Sequence, residues 1–143
     1  MDLFNTIKIS STALKAQQIR LNTVSSNLAN AETTQTPEGG PYKRKTVVFQ
    51  SDGSPFSENL DQELRGSVQG VKVTSIMADQ AAPRIIYNPG HPDANEEGYV
   101  SMPNINVLEE MADMVSATRA YEANINTIQA SKRMALKALE IGK

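Results

Sequence analysis

From Leu3 to Ala31 the apolar residues recur on a seven-residue spacing. Ile7, Leu14, Leu21 and Leu28 make one row, and Leu3, Val24 and Ala31 make its partner, with Ser10 and Gln17 as polar gaps. About four heptads without a proline predict a long, coiled-coil-like helix rather than a simple surface helix. The breakers between Thr33 and Pro41 end it. A second helix is expected from Asn104–Asn106 to the C-terminus. Val107, Met114, Tyr121, Ile128 and Ala135 form one row, and Met111, Thr118, Ile125, Lys132 and Leu139 the other. Leu108, Val115 and Leu136 widen that stripe. Asn106 suits an N-cap, with Glu109 at the capping-box spacing. Glu109, Glu110 and Asp113 near the start, and Lys132, Arg133 and Lys137 near the end, complement the helix dipole. Such a helix would run roughly 50 Å at 1.5 Å per residue.

Between the helices the period drops to two. Tyr42–Phe49, Val71–Ile76, Arg84–Tyr87 and Tyr99–Met102 read as four short strands. The polar stretch 51–70, with Gly53, Pro55, Gly66 and Gly70, reads as a flexible loop. The expected fold class is therefore α+β. A discontinuous helical domain (1–36 and 104–143) pairs its helices coiled-coil-like around a central β-rich domain (37–103).

The polar face of the first helix carries amides and hydroxyls, among them Asn5, Ser11, Gln18, Asn22, Ser25 and Asn30. Its charges before Glu32 are few: Asp2, Lys8, Lys15 and Arg20. Solvated helices usually carry many charges in i,i+4 pairs. Uncharged polar groups are cheaper to bury once hydrogen-bonded. The pattern points to a helix enclosed by neighbours on several sides, in an assembly or in an antiparallel hairpin packed on a sheet.

Composition narrows the chemistry. The chain has 143 residues, a net charge of -2, no Cys, one His and 5% aromatics. The balanced charge argues against nucleic acid as the main partner. Absent cysteine removes thiolate catalysis, Cys-ligated zinc and disulfides. One histidine cannot build a multi-His metal site, and no nucleophile elbow accompanies it. Asp93–Gly98 resembles the start of a calcium loop, but Asn104 stands where the bidentate Glu belongs. No apolar run approaches the ~20 residues of a membrane helix, and the start lacks the pattern of a cleaved secretory signal.

Two segments carry a family resemblance. Ser25–Thr33, with Leu14, Ala16 and Arg20 before it, resembles the N-terminal signature of flagellar basal-body rod proteins. Asn106–Met111, followed by Ser116–Asn124, is similar to the C-terminal signature. The runs Gly39–Lys45 and Tyr87–Asn95 through Val100, together with the short length, resemble the proximal-rod members rather than the longer distal-rod and hook members. The carried-over motif positions are Asn27, Leu28, Ala29, Asn30, Arg119, Tyr121, Glu122 and Asn124.

The resemblance implies a structural subunit with no catalytic, cofactor-binding or metal-binding residues. Such proteins are exported unfolded by the flagellar type III apparatus, without a cleaved signal. They polymerise helically into the torque-transmitting shaft that spans the periplasm. Implied partners are further copies of the chain, other rod proteins and the export-apparatus or MS-ring base, with neither nucleic acid nor a small-molecule substrate. Helix packing and subunit interfaces fall to Ile7, Leu14, Leu21, Val24, Leu28, Val107, Met111, Met114, Tyr121, Ile125, Ile128 and Leu139. Another rod layer of the same family, or a soluble module dimerising through a helical hairpin, are the alternative readings.

Several side chains have two possible roles. Asn27 and Asn30 suit subunit contacts or local backbone bonding. Arg119 and Glu122 suit a pair within the helix or a bond to another element. Lys43 and Lys45 share one strand face, and Arg44 points to the other. The lysines suit a solvated edge or an acidic neighbour.

Overall fold

A computed structural model describes residues 3–52 and 69–141. The stretch read as a flexible loop lies almost wholly outside the described residues, apart from its ends. Ser51 and Asp52 close one strand and Gly70 opens the next.

The chain begins with helix α1 (Leu3–Ala29) and ends with helix α2 (Val107–Ile141). Between them lie strands β1 (Lys45–Asp52), β2 (Gly70–Ala78), β3 (Arg84–Tyr87) and β4 (Tyr99–Met102). This is the α+β architecture read from the sequence. The strands form two separate antiparallel pairs, β1–β2 and β3–β4, instead of one unit. A bulge between Val48 and Phe49 kinks the first pair.

The layers follow from what touches what. α1 packs on α2 on one side and on β1 and β2 on another, whereas α2 touches no described element but α1. The helix poorest in charge is thus the middle layer. Two sequence-distant bonds fix the helix directions. Asn27 meets Glu110 and Arg20 meets Asp113, so numbers fall along α1 as they rise along α2 and the helices are antiparallel.

The buried positions of α1 are Ser10, Ala16, Thr23, Val24 and Asn27. Ile7, Leu14, Leu21 and Leu28 are only half-buried. The closest-packed positions are therefore small or polar, and the leucine row flanks them. Thr23 resolves its hydroxyl by donating to Ile19 O four residues back.

The second helix corrects the expected pairing of rows. Met114, Tyr121, Ile128 and Ala135 are half-buried as expected, but their partner row lies three residues on, at Glu110, Ala117, Asn124 and Ser131. Ala117 is 0% exposed. The row four residues on, which the sequence reading favoured, faces away: Met111, Thr118, Lys132 and Leu139 are exposed and Ile125 is half-buried. Val107 is exposed as well. The physical reason is helix approach. Small residues let two backbones come close and fill the contact, whereas larger side chains would hold them apart.

Local signals were more reliable. Asn106 caps α2, its side-chain oxygen accepting the Leu108 N–H at 3.1 Å. β1 begins at Lys45 instead of Tyr42 because Tyr42 N–H is already committed to Thr33 O at 3.0 Å. Gly98, with φ +81°, closes the β3–β4 loop where a Cβ would stand 2.9 Å from the Tyr87 ring. No helix among the described residues is long and apolar enough to cross a membrane.

Candidate functional site

Where α1 ends, α2 begins and β1 starts, five side chains converge. Asn27, in the last turn of α1, is 1% exposed. Its Nδ2 donates to Lys45 O at 2.8 Å, and its Oδ1 accepts from Lys45 N–H at 2.9 Å. One amide thereby pairs with both backbone groups of a single residue, as a neighbouring strand would. The second Nδ2 hydrogen reaches Glu110 Oε2 at 2.9 Å. Tyr42 Oη donates to the second lone pair of Oδ1 at 3.3 Å and lies 3.2 Å from Ser26 Oγ. Every donor and acceptor site of Asn27 is filled, as burial demands.

Glu110 is the other centre. It sits in the first turn of α2, 1% exposed, where the helix dipole favours a negative charge. Its Oε1 accepts Arg44 Nε at 2.6 Å. That charge-assisted hydrogen bond raises the Arg44 pKa, against partial burial, which lowers it. Asp113 and Asp79 add smaller attractions. Asp113 also holds Arg20 at 2.8 Å. The arrangement presents no nucleophile beside a base. It is a mechanical joint that ties two helix ends to one strand start.

The sequence-derived residues divide into three groups. Asn30 bonds locally, donating to Ser26 O at 2.8 Å and accepting from Thr33 Oγ1, whereas Asn27 reaches out of its helix to Lys45 and Glu110. Val24, Met114, Tyr121, Asn124 and Ile128 line or flank the helix seam, while Ala29, Arg119 and Glu122 are exposed. No ion pair joins Arg119 to Glu122 among the described residues. Arg44 turns inward to Glu110, and Lys43 and Lys45 stay exposed, with Lys45 Nζ 5.7 Å above the Tyr42 ring. Asp93 of the acidic turn binds Thr34 and Gln35. Among the described residues, no group of three His, Asp or Glu side chains could hold a metal.

Sequence reasoning missed Glu110 and Tyr42 as partners of Asn27. A buried carboxylate in an otherwise acidic first turn gives no periodic signal.

Residues 7–35 match the family described as flagella basal body rod protein. Residues 96–141 match the C-terminal family of flagellar basal body rod FlgEFG proteins. The first match holds Asn27 and the second Glu110. Full-length relatives agree: the flagellar basal-body rod protein FlgC of Bacillus subtilis is 47% identical over 100% of both chains. FlgC of Borreliella burgdorferi is 43% identical over 99% of this chain and 98% of the relative. FlgC of Salmonella typhimurium is 43% identical over 100% of both.

The chain belongs to the FlgC family of flagellar basal-body rod proteins. Family membership makes it a structural subunit of the flagellum. Within the family frame the joint gains meaning. Its two buried anchors come from the two matched segments, and the residues they clamp, Arg44 and Lys45, come from the stretch between them.

Proposed function

We propose that the chain is a subunit of the proximal rod, the hollow shaft that carries torque across the periplasm. It reaches the rod through the flagellar type III apparatus without a cleaved signal and catalyses no reaction. Its neighbours are further copies, other rod proteins and the export-apparatus or MS-ring base. The terminal segments 1–36 and 104–143 act as the helical rod core, and 37–103 as the outer β-rich part.

The observation that carries this reading is the second stripe on α2. Leu108, Met111, Val115, Leu136 and Leu139 are exposed on the side away from the α1 seam, Leu108 at 76% and Leu139 at 71%. They keep a three-and-four spacing, with Thr118, Ile125 and Lys132 continuing it. Leu108, Met111 and Val115 near the start and Leu136 and Leu139 near the end form two exposed apolar clusters, which mark an interaction surface, and their spacing suits another helix. A helix with two seams belongs in an array of helices. Exposed Arg119 and Glu122 flank the stripe and suit contacts between subunits.

The test replaces the native gene with a Leu136→Ser, Leu139→Ser variant. The purified variant should keep its helix content and lose incorporation into isolated basal bodies by at least tenfold. Normal incorporation would contradict the stripe as a rod contact.

A further inference from the structure

His91 lies in the β3–β4 loop. Its Nδ1 accepts the backbone N–H of Asp93 at 3.1 Å. A ring nitrogen that accepts a hydrogen bond carries no proton, so this turn requires neutral His91. The Asp93 carboxylate is used elsewhere. Oδ2 accepts from Thr34 Oγ1 at 2.6 Å, and Oδ1 accepts from Gln35 Nε2. Those two bonds tie the β3–β4 loop to the segment that leaves α1. The same Oδ2 stands 3.8 Å from His91 Nδ1, beyond a hydrogen bond but within reach of one after a small rotation.

We propose that His91 and Asp93 form a pH-operated latch between the β3–β4 loop and the segment following α1. With the ring neutral, Nδ1 accepts from the Asp93 N–H, and the carboxylate holds Thr34 and Gln35. Protonation turns Nδ1 into a donor. It then cannot accept the Asp93 N–H, and the new cation draws the Asp93 carboxylate toward itself. Thr34 and Gln35 lose their shared acceptor, so protonation of the ring opens the latch.

The groups facing His91 are few. Asp93 is the charged group within ion-pair distance among the described residues. Thr34 and Gln35, from the segment after α1, are neutral. Glu96 and Glu97 lie farther along the same loop and are exposed.

Nuclear magnetic resonance on the full chain tests this between pH 8 and 5. In the wild type, the Gln35 side-chain amide and the Asp93 backbone amide should shift with the midpoint of the His91 ring. His91→Asn puts a non-titrating oxygen where Nδ1 accepts, and there both signals should stay flat. Asp93→Asn, which lacks the charge that a protonated ring attracts, should leave the Gln35 signal flat while His91 still titrates. A Gln35 signal that ignores the His91 midpoint in the wild type, or still moves in His91→Asn, overturns the latch.

Discussion

Asn27 and Lys45 are joined as if they were neighbours in a sheet, side-chain amide to backbone peptide, at 2.8 and 2.9 Å. The bond sets where β1 starts and, through Glu110, where α2 docks. Asn27→Asp keeps the acceptor but loses both donated bonds and puts a carboxylate beside Glu110. It should destabilise the chain by about 3 kcal/mol, more than Asn27→Ala, because a buried charge without a partner costs more than a lost neutral bond. Urea unfolding of the two variants checks the order. Equal losses would mean that Glu110 does not feel position 27.

Arg44→Met leaves Glu110 buried without its cation and should cost about 2–3 kcal/mol. The sign of the pH dependence follows from Arg44. Its pKa is raised on folding. A raised base adds stability below its unfolded pKa and loses it only as pH climbs through the folded value. Both values lie in strong alkali. The stability gap between wild type and Arg44→Met should thus be constant from pH 7 to 10 in paired denaturation curves. A gap that closes by pH 10 would assign the effect to another group.

Close helix approach predicts a sharp contrast along α2. Ala117 is fully buried in the seam and Ala112 is exposed. Ala117→Leu should cost about 2 kcal/mol through overpacking, whereas Ala112→Leu should change stability by under about 0.5 kcal/mol. Thermal melts followed by circular dichroism separate the two.

Gln17 offers the opposite sign. Its side-chain oxygen is buried without a hydrogen-bond partner. Gln17→Leu removes the orphan acceptor and continues the apolar row of Leu3 and Val24, so it should stabilise by about 1 kcal/mol. Loss of stability on this change would show that the oxygen has a partner in solution.

How much of this was legible in the sequence depends on the range of the cause. Asn106 as a cap, β3 and β4 at their full extents, and the two long helices are set by neighbours a few residues away, and all are read correctly. The seam partner of the Val107 row is not local. Met111 and Leu139 are the more apolar choice, yet the contact goes to Ala117 and Ser131, because the distance between helices selects small residues. Hydropathy carries no information about that distance. Asn27 was visible through its family motif, and its partners were not. Lys45 pairs through backbone atoms, which no side-chain pattern reveals, and Glu110 is a charge in a place where charges are rare.

The central claim is that the face left uncovered in one chain is covered by neighbours in a rod. Val115 lies on the exposed stripe of α2, so a photo-crosslinking residue there reports what comes next to it in the cell. The most direct measurement crosslinks cells carrying this probe and identifies the products in purified basal bodies by mass spectrometry. The account predicts crosslinks to other rod subunits or to the export-apparatus base. Crosslinks only within the chain, or only to an identical partner in the soluble fraction, would contradict it.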